Sequence, residues 1–324
     1  MKKILSAVSA AALSVAAASA AYAGTPAGVT AADESVKIMC IGDSITDGYG
    51  IGGSYRKFIY HGLTEAGYSI DMVGAKGGGW TPTYTDEQTG ESFEYDDENT
   101  GYSGYAIKEY SGRSGILETL QSTGCLSTQP DIVTLPIGTN DVIDAHELDS
   151  AGERLESLIT YILSELPDGS VLFVTTIPDL EPNRSDVYSW FGNYRHSADW
   201  QTQYSDEEVE VNVQAAVDAY NETVEATVTK LKADYTNLFF ADVHSAITDT
   251  TTQLVDGVHP NNVGYKAMGA YWTSLLSAYL GGDPPLTEPA TTSEPAATTT
   301  TAATTTTATT TAETTATTAS TEFT

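Results

Sequence analysis

The segment "IMCIGDSITDG", residues 38–48, passes from an unbroken apolar run into a turn that carries one serine, Ser44, flanked by Gly42, Asp43 and Asp47. An apolar run that ends in small and acidic residues reads as a buried strand reaching the edge of a sheet. In open α/β sheets that carboxyl edge is where chemistry is usually placed. The reading predicts a strand over 36–41 with the Ser44 hydroxyl just beyond its end.

Working outward, strands and helices alternate. Tyr55, Phe58, Ile59 and Leu63 have helical spacing and predict a helix over 54–66 that stops before Gly67. A second strand is expected over 70–73. Residues 74–101 are rich in Gly, Thr, Asp, Glu and Tyr with no clear period, and a loop of that length tends to carry function. A weak helix follows over 114–121, and "DIVTLPIGTND", 131–141, contains the third strand. Leu155, Leu158, Ile159 and Ile162 mark the next helix. Strand four is expected over 171–176, a long helix over 211–231, strand five over 238–241 and a closing helix over 262–280. Such alternation implies parallel βαβ units stacked as a three-layer α/β/α sandwich. A second long excursion, 186–210, holds Trp190, Trp200 and several tyrosines. Its aromatic rings either line a sugar groove or pack the loop onto the body. No internal repeat is visible.

Composition sets the boundaries. Residues 1–23 read as a secretory signal, with Lys2 and Lys3, an Ala-rich apolar run and Ala21-Tyr22-Ala23 as the cleavage site. A short segment, 24–34, leads into one folded domain over 35–281, and 282–324 is a Thr/Ala/Pro-rich tail without Lys or Arg. Such a tail cannot bury enough apolar surface to offset its ordering entropy, so it is expected to be an extended linker. The central part, about 250 residues, suffices for one α/β domain with a sizeable core. No later stretch has the roughly 18 apolar residues that a spanning helix needs. The protein is therefore expected to be soluble and secreted. A formal net charge of −30 argues against nucleic acid and anionic membrane as partners, and is compatible with a neutral, hydroxyl-rich polymer. The two cysteines, Cys40 and Cys125, fall toward opposite strand ends and have no metal-ligand spacing, so their pairing stays open.

Three segments fall at or beyond strand ends on one side of the expected sheet: Ser44, "IGTND" at 137–141 and "VDGVHP" at 255–260. A serine hydroxyl needs a base before it is a useful nucleophile. His259 is a suitable base, and Asp256, three residues earlier across Gly257, can orient its ring and hold its tautomer. Backbone N–H groups at the start of the turn after Ser44 can bind a developing oxyanion. Read singly, each motif is as readily a cap, a turn or a surface pair. Jointly they point to nucleophilic catalysis.

"GDSI" at 42–45, "GTND" at 138–141 and "DGVHP" at 256–260 resemble blocks I, III and V of the SGNH (GDSL-type) hydrolases, and "NTGYSGYAI" at 99–107 resembles the remaining glycine block, with Gly104 at the matching position. The motifs span most of the expected domain. No Gly-x-Ser-x-Gly elbow of the ordinary α/β-hydrolases is present. The resemblance implies a flavodoxin-like sheet of five parallel strands, with Ser44 as nucleophile, His259 as base and Asp256 as its orienter. It also implies an oxyanion hole formed by the Ser44 and Gly104 N–H groups and the Asn140 side chain. One departure is Pro136, which removes a ladder donor just before "IGTND" and puts the approach of Asn140 in question.

Within that superfamily, "KIMCIGDSITDGYG" (37–50), "DMVGAK" (71–76), "VTTIPD" (174–179) and "ADVHSAITDTTTQLVDGVHPNNVGY" (241–265) are most similar to carbohydrate esterase family 3. That likeness implies an acetyl xylan esterase needing neither metal nor organic cofactor. It also implies linkage through the tail to a dockerin or carbohydrate-binding module. A lipase-like or aryl-ester hydrolase and a non-catalytic carbohydrate-binding module are the alternatives. Asp43 and Asp47 are expected to order the Ser44 turn, and His244, His61 and Arg113 to serve packing or the surface. "DDEN", 96–99, is either an ordinary oxygen-rich loop or a calcium site.

Overall fold

The computed structural model describes residues 35–79, 81–195 and 204–282. The expected leader, the 24–34 segment, Trp200 and the tail from 283 onward lie outside the described residues.

The first strand, β1 (Val36–Gly42), alternates its side chains between two cores. Ile38 and Cys40 face one, Met39 and Ile41 the other, and all four are fully buried. A strand apolar on both faces requires a layer on each side, which is why its sequence reads as a continuous apolar run. The same holds for β6 (Ile132–Pro136) and β7 (Val171–Thr175), each buried at every position. With β2 (Ile70–Met72) and β8 (Leu238–Ala241) these strands form a parallel sheet in the order β2-β1-β6-β7-β8. A two-residue strand, β5 (Thr100–Gly101), pairs parallel with the last residues of β1 and was not evident from the sequence.

On one face lie α2 (Arg56–Glu65) and α9 (Asn262–Leu280), packing Phe58, Ile59, Leu63, Met268 and Trp272 against the sheet. On the other lie α3 (Ile116–Thr123), α5 (Ala151–Glu165) and α7 (Asp206–Leu231). The three-layer α/β/α sandwich with five main parallel strands is thus the observed fold. Among the described residues, no helix is long and apolar enough to cross a membrane.

Two differences from expectation have local causes. Helix α7 begins at Asp206 rather than near 211, because the Ser205 hydroxyl accepts from the Glu208 N–H while the Glu208 carboxylate accepts from the Ser205 N–H. That reciprocal cap satisfies donors the first turn would otherwise leave open. The 74–101 stretch is not one loop. It contains a hairpin, β3 (Thr83–Thr85) with β4 (Ser92–Glu94), whose Tyr84 and Phe93 rings cover Phe58 of α2. Strands of three residues are too short for periodicity to reveal.

Cys40 and Cys125 are both buried and free, one in β1 and the other in the turn after α3. In the acidic run, Asp96 accepts from the Met72 and Glu98 N–H groups, and Asp97 pairs with the buried Arg56 at 3.1 Å.

Candidate active site

Ser44 opens a single helical turn, α1 (Ser44–Asp47), directly after β1. Asp43 caps that turn by accepting from the Ile45 N–H at 2.9 Å. Gly42 is required by packing: a Cβ there would lie 2.4 Å from the Pro136 carbonyl oxygen and 2.3 Å from Thr46 Oγ1. The two strand ends of β1 and β6 are therefore in close contact, and the turn carrying Ser44 sits beside the one carrying Asn140.

The second component is local. Leu254 and Pro260 form an antiparallel bridge, and the Val255 N–H donates to the His259 carbonyl at 2.8 Å, closing the 254–260 loop. Gly257 lies at its bend with φ +95°, where a Cβ would meet the Glu181 carbonyl oxygen at 2.4 Å. Within the loop, Asp256 Oδ1 accepts from the Val258 and His259 N–H groups at 3.0 and 2.8 Å, and Oδ2 lies 2.7 Å from His259 Nδ1. Burial alone would raise the Asp256 carboxyl. The bonds from the His259 ring and from the two backbone N–H groups outweigh it, so the carboxyl titrates below the usual range and stays ionised.

The sheet order brings the two components together. His259 Nε2 lies 2.8 Å from Ser44 Oγ, across 215 positions of sequence, and Ser44, His259 and Asp256 are all buried or nearly so. An ionised carboxylate bonded to Nδ1 fixes the tautomer that leaves Nε2 free to accept from the hydroxyl.

Asn140 lies in the first turn of α4 (Thr139–Ile143), after β6. Its Nδ2 donates to the Tyr105 carbonyl at 2.8 Å, which fixes the amide while leaving its second N–H free to donate. Gly104, with φ +81°, belongs to a turn that starts where the Tyr102 N–H donates to the Gly42 carbonyl at 2.9 Å. Ser44, Gly104 and Asn140 are thus tied to one rim by direct bonds between their segments. Among the described residues, neither the Ser44 nor the Gly104 N–H has an acceptor. Pro136 does not displace Asn140: it pairs in register with Thr175 at the end of β6, and α4 starts three residues later.

One neighbour, Tyr49, was not singled out by the sequence. Tyr49, half exposed, lies 4.5 Å from the His259 ring, and Trp190 meets the same ring edge-on at 5.9 Å. Trp190 is therefore exposed beside the His259 ring, whereas Phe191 next to it packs into the core. Asp43 is fully buried; burial raises its carboxyl to about 6, although the Ile45 N–H, the Thr139 side chain and His259 favour the charged form. Asp47 accepts from Lys76 and Ser103, tying α1 to the 101–104 turn. His244 has a structural partner, though not the adjacent Asp242: its Nε2 lies 2.7 Å from Asp179 Oδ1, while Asp242 accepts from Thr176.

A buried serine, imidazole and carboxylate in hydrogen-bonded series at the carboxyl rim of a parallel sheet form the arrangement that nucleophilic ester hydrolysis requires. The model of the GDSL-like lipase/acylhydrolase family matches residues 38–272, and the chain belongs to that family, its folded domain being a carboxylic ester hydrolase. It is 36% identical over 276 residues to a multidomain esterase of Ruminococcus flavefaciens, an alignment covering 82% of this chain. The alignment covers 32% of that relative, so the chain spans about a third of its length. Similar folds include a family 3 carbohydrate esterase of Clostridium thermocellum (TM-score 0.52, 24% identity, 77% of this chain and 98% of that one). Another is a family 3 carbohydrate esterase from Talaromyces cellulolyticus (TM-score 0.53, 21% identity, 77% and 100%).

Proposed function

We propose that this protein is a secreted serine esterase that removes O-acetyl groups from plant hemicellulose, acetylated xylan in particular, through an acetyl-Ser44 intermediate. The observation that carries the chemistry is the series Ser44–His259–Asp256, bonded at 2.8 and 2.7 Å beside backbone N–H groups that have no acceptor among the described residues. His259 Nε2 takes the proton as Ser44 Oγ attacks the acetyl carbonyl. Ionised Asp256 accepts from Nδ1 and favours the imidazolium that forms. The Ser44 and Gly104 N–H groups and the Asn140 amide stabilise the oxyanion. The imidazolium then protonates the departing sugar oxygen, and water, deprotonated by the same imidazole, releases acetate. Removing one such donor typically lowers turnover on the order of 100- to 1000-fold.

The substrate class rests on the motif resemblance to carbohydrate esterase family 3 and is supported by the exposed Tyr49 and Trp190 rings beside His259. Export rests on the basic, then Ala-rich start of the chain. Linkage to a dockerin or carbohydrate-binding module rests on the Thr-rich tail and on the multidomain character of the Ruminococcus relative. The test is acetate release from several acetylated polysaccharides against hydrolysis of C8–C16 esters, with Ser44→Ala as control. Preference for the long acyl chains overturns the substrate. Retention of xylan by a protein that an organophosphonate does not label overturns the esterase reading in favour of a binding module.

A further inference from the structure

The 104–107 segment, which carries the proposed oxyanion donor Gly104, is held to α4 at three points. Asn140 donates to the Tyr105 carbonyl at 2.8 Å, and Asp141 accepts from the Ile107 N–H at 3.0 Å. The third attachment runs through a side-chain pair. Arg113 Nη1 donates to the Gly104 carbonyl at 3.1 Å, while its Nε and Nη2 donate to the two oxygens of Asp144 at 2.6 and 2.8 Å. Asp144 in turn caps α4, its N–H donating to the Asn140 carbonyl at 3.1 Å, and Tyr110 donates to it at 2.7 Å.

Arg113 itself is placed by a tight 110–113 turn closed by reciprocal bonds between Tyr110 and Arg113, with Gly112 at φ +99°. Tyr110 stacks on His146 with ring centroids 3.6 Å apart. On the opposite flank Lys76 binds both Asp47 of α1 and the Gly101 carbonyl. The turn is therefore braced by a cation on each side, one tied to the Ser44 helix and one to the Asn140 helix.

We infer that Arg113 is a positioning residue for ester hydrolysis: by bridging the Gly104 carbonyl to Asp144, it sets the Gly104 N–H and the Asn140 amide at a common spacing around the oxyanion. The inference rests on the assignment of those two groups as oxyanion donors. Gly104 lies in the left-handed region, where small changes in φ and ψ swing its N–H, and fixing the following carbonyl removes that freedom. A guanidinium fits this task because its planar fork engages a carboxylate in two bonds and retains a further N–H for the carbonyl, which an ammonium does not reproduce. The pair is bidentate and about three-quarters buried, so its loss also carries a modest stability cost, and the positioning role is read from kcat on the folded variant.

The test compares Arg113→Ala, Arg113→Lys and Asp144→Asn on an acetyl ester, alone and combined with Asn140→Ala. Arg113→Ala is expected to lower kcat about 10- to 100-fold with KM within about twofold. Its melting temperature should stay within about 3 °C of wild type. Arg113→Lys should recover part of the loss, Asp144→Asn should reproduce it from the other partner, and millimolar guanidinium should partly restore Arg113→Ala. The Arg113→Ala/Asn140→Ala double variant should lose less than the product of the single losses, because both act on one oxyanion. Unchanged kcat in Arg113→Ala while Asn140→Ala is impaired overturns the positioning role and leaves the oxyanion assignment standing. Fully multiplicative losses also overturn it. Unimpaired Asn140→Ala overturns the oxyanion assignment and the positioning role with it.

Discussion

Asp43 occupies a costly place. It precedes Ser44, is fully buried, and holds its proton to about pH 6 where an exposed aspartate would lose it near 3.8. Between those values the folded state binds more protons than the unfolded chain, so this group's contribution to stability falls as pH rises from about 4 to about 6. Above that window the penalty is complete, and a displacement of about two pKa units corresponds to about 3 kcal/mol. Asp43→Asn removes the charge while an amide oxygen can still accept from the Ile45 N–H. Allowing for imperfect replacement of the other oxygen's surroundings, the variant should be more stable than wild type at pH 7–8 by about 1–3 kcal/mol. That gain is about 3–10 °C in melting temperature for a domain of this size. Near pH 3.5 the two proteins should be almost equal. Urea unfolding followed by tryptophan fluorescence at half-unit steps from pH 3.5 to 8 measures the difference, in which titrating groups not coupled to Asp43 cancel. A difference that is constant with pH, or a variant less stable at pH 8, refutes the reasoning.

Two further outcomes concern the proposed site. Asp256→Asn keeps an oxygen for the Val258 and His259 N–H groups but presents an amide donor to Nδ1, favouring the wrong tautomer; kcat should fall roughly ten-thousand-fold with an unchanged circular dichroism spectrum. A residual rate near wild type would remove Asp256 from the mechanism. Trp190→Ala should raise KM for acetylated xylo-oligosaccharides about five- to tenfold, in line with the loss of about 1 kcal/mol of ring packing, while leaving 4-nitrophenyl acetate untouched. Equal effects on both substrates would place Trp190 in support of His259 rather than of the sugar.

The strand–helix alternation was legible because each element carries its own burial pattern. Ile38 and Cys40 against Met39 and Ile41, or Leu155, Leu158, Ile159 and Ile162, announce a two-sided strand and a one-sided helix without reference to any partner. The hairpin over 83–94 and the two-residue β5 escaped because they are too short to repeat a period. The early start of α7 was readable in principle, since Ser205 and Glu208 have the spacing of a reciprocal cap. The Asp179–His244 pair was not, because its partners come from loops after different strands.

By itself the sequence determined the parts whose geometry is local: the layers of the sandwich, the turn after β1 that presents Ser44, and the Asp256–His259 loop, whose bonds close within a few residues. The tertiary structure alone decided that β1 lies against β6, that the 102–107 turn is anchored between them, and that Tyr49, Trp190 and Arg113 gather around the same rim. The reason is physical. Hydrophobic periodicity reports how deeply an element is buried but not beside which neighbour, and the neighbour is chosen by packing between segments far apart in the chain.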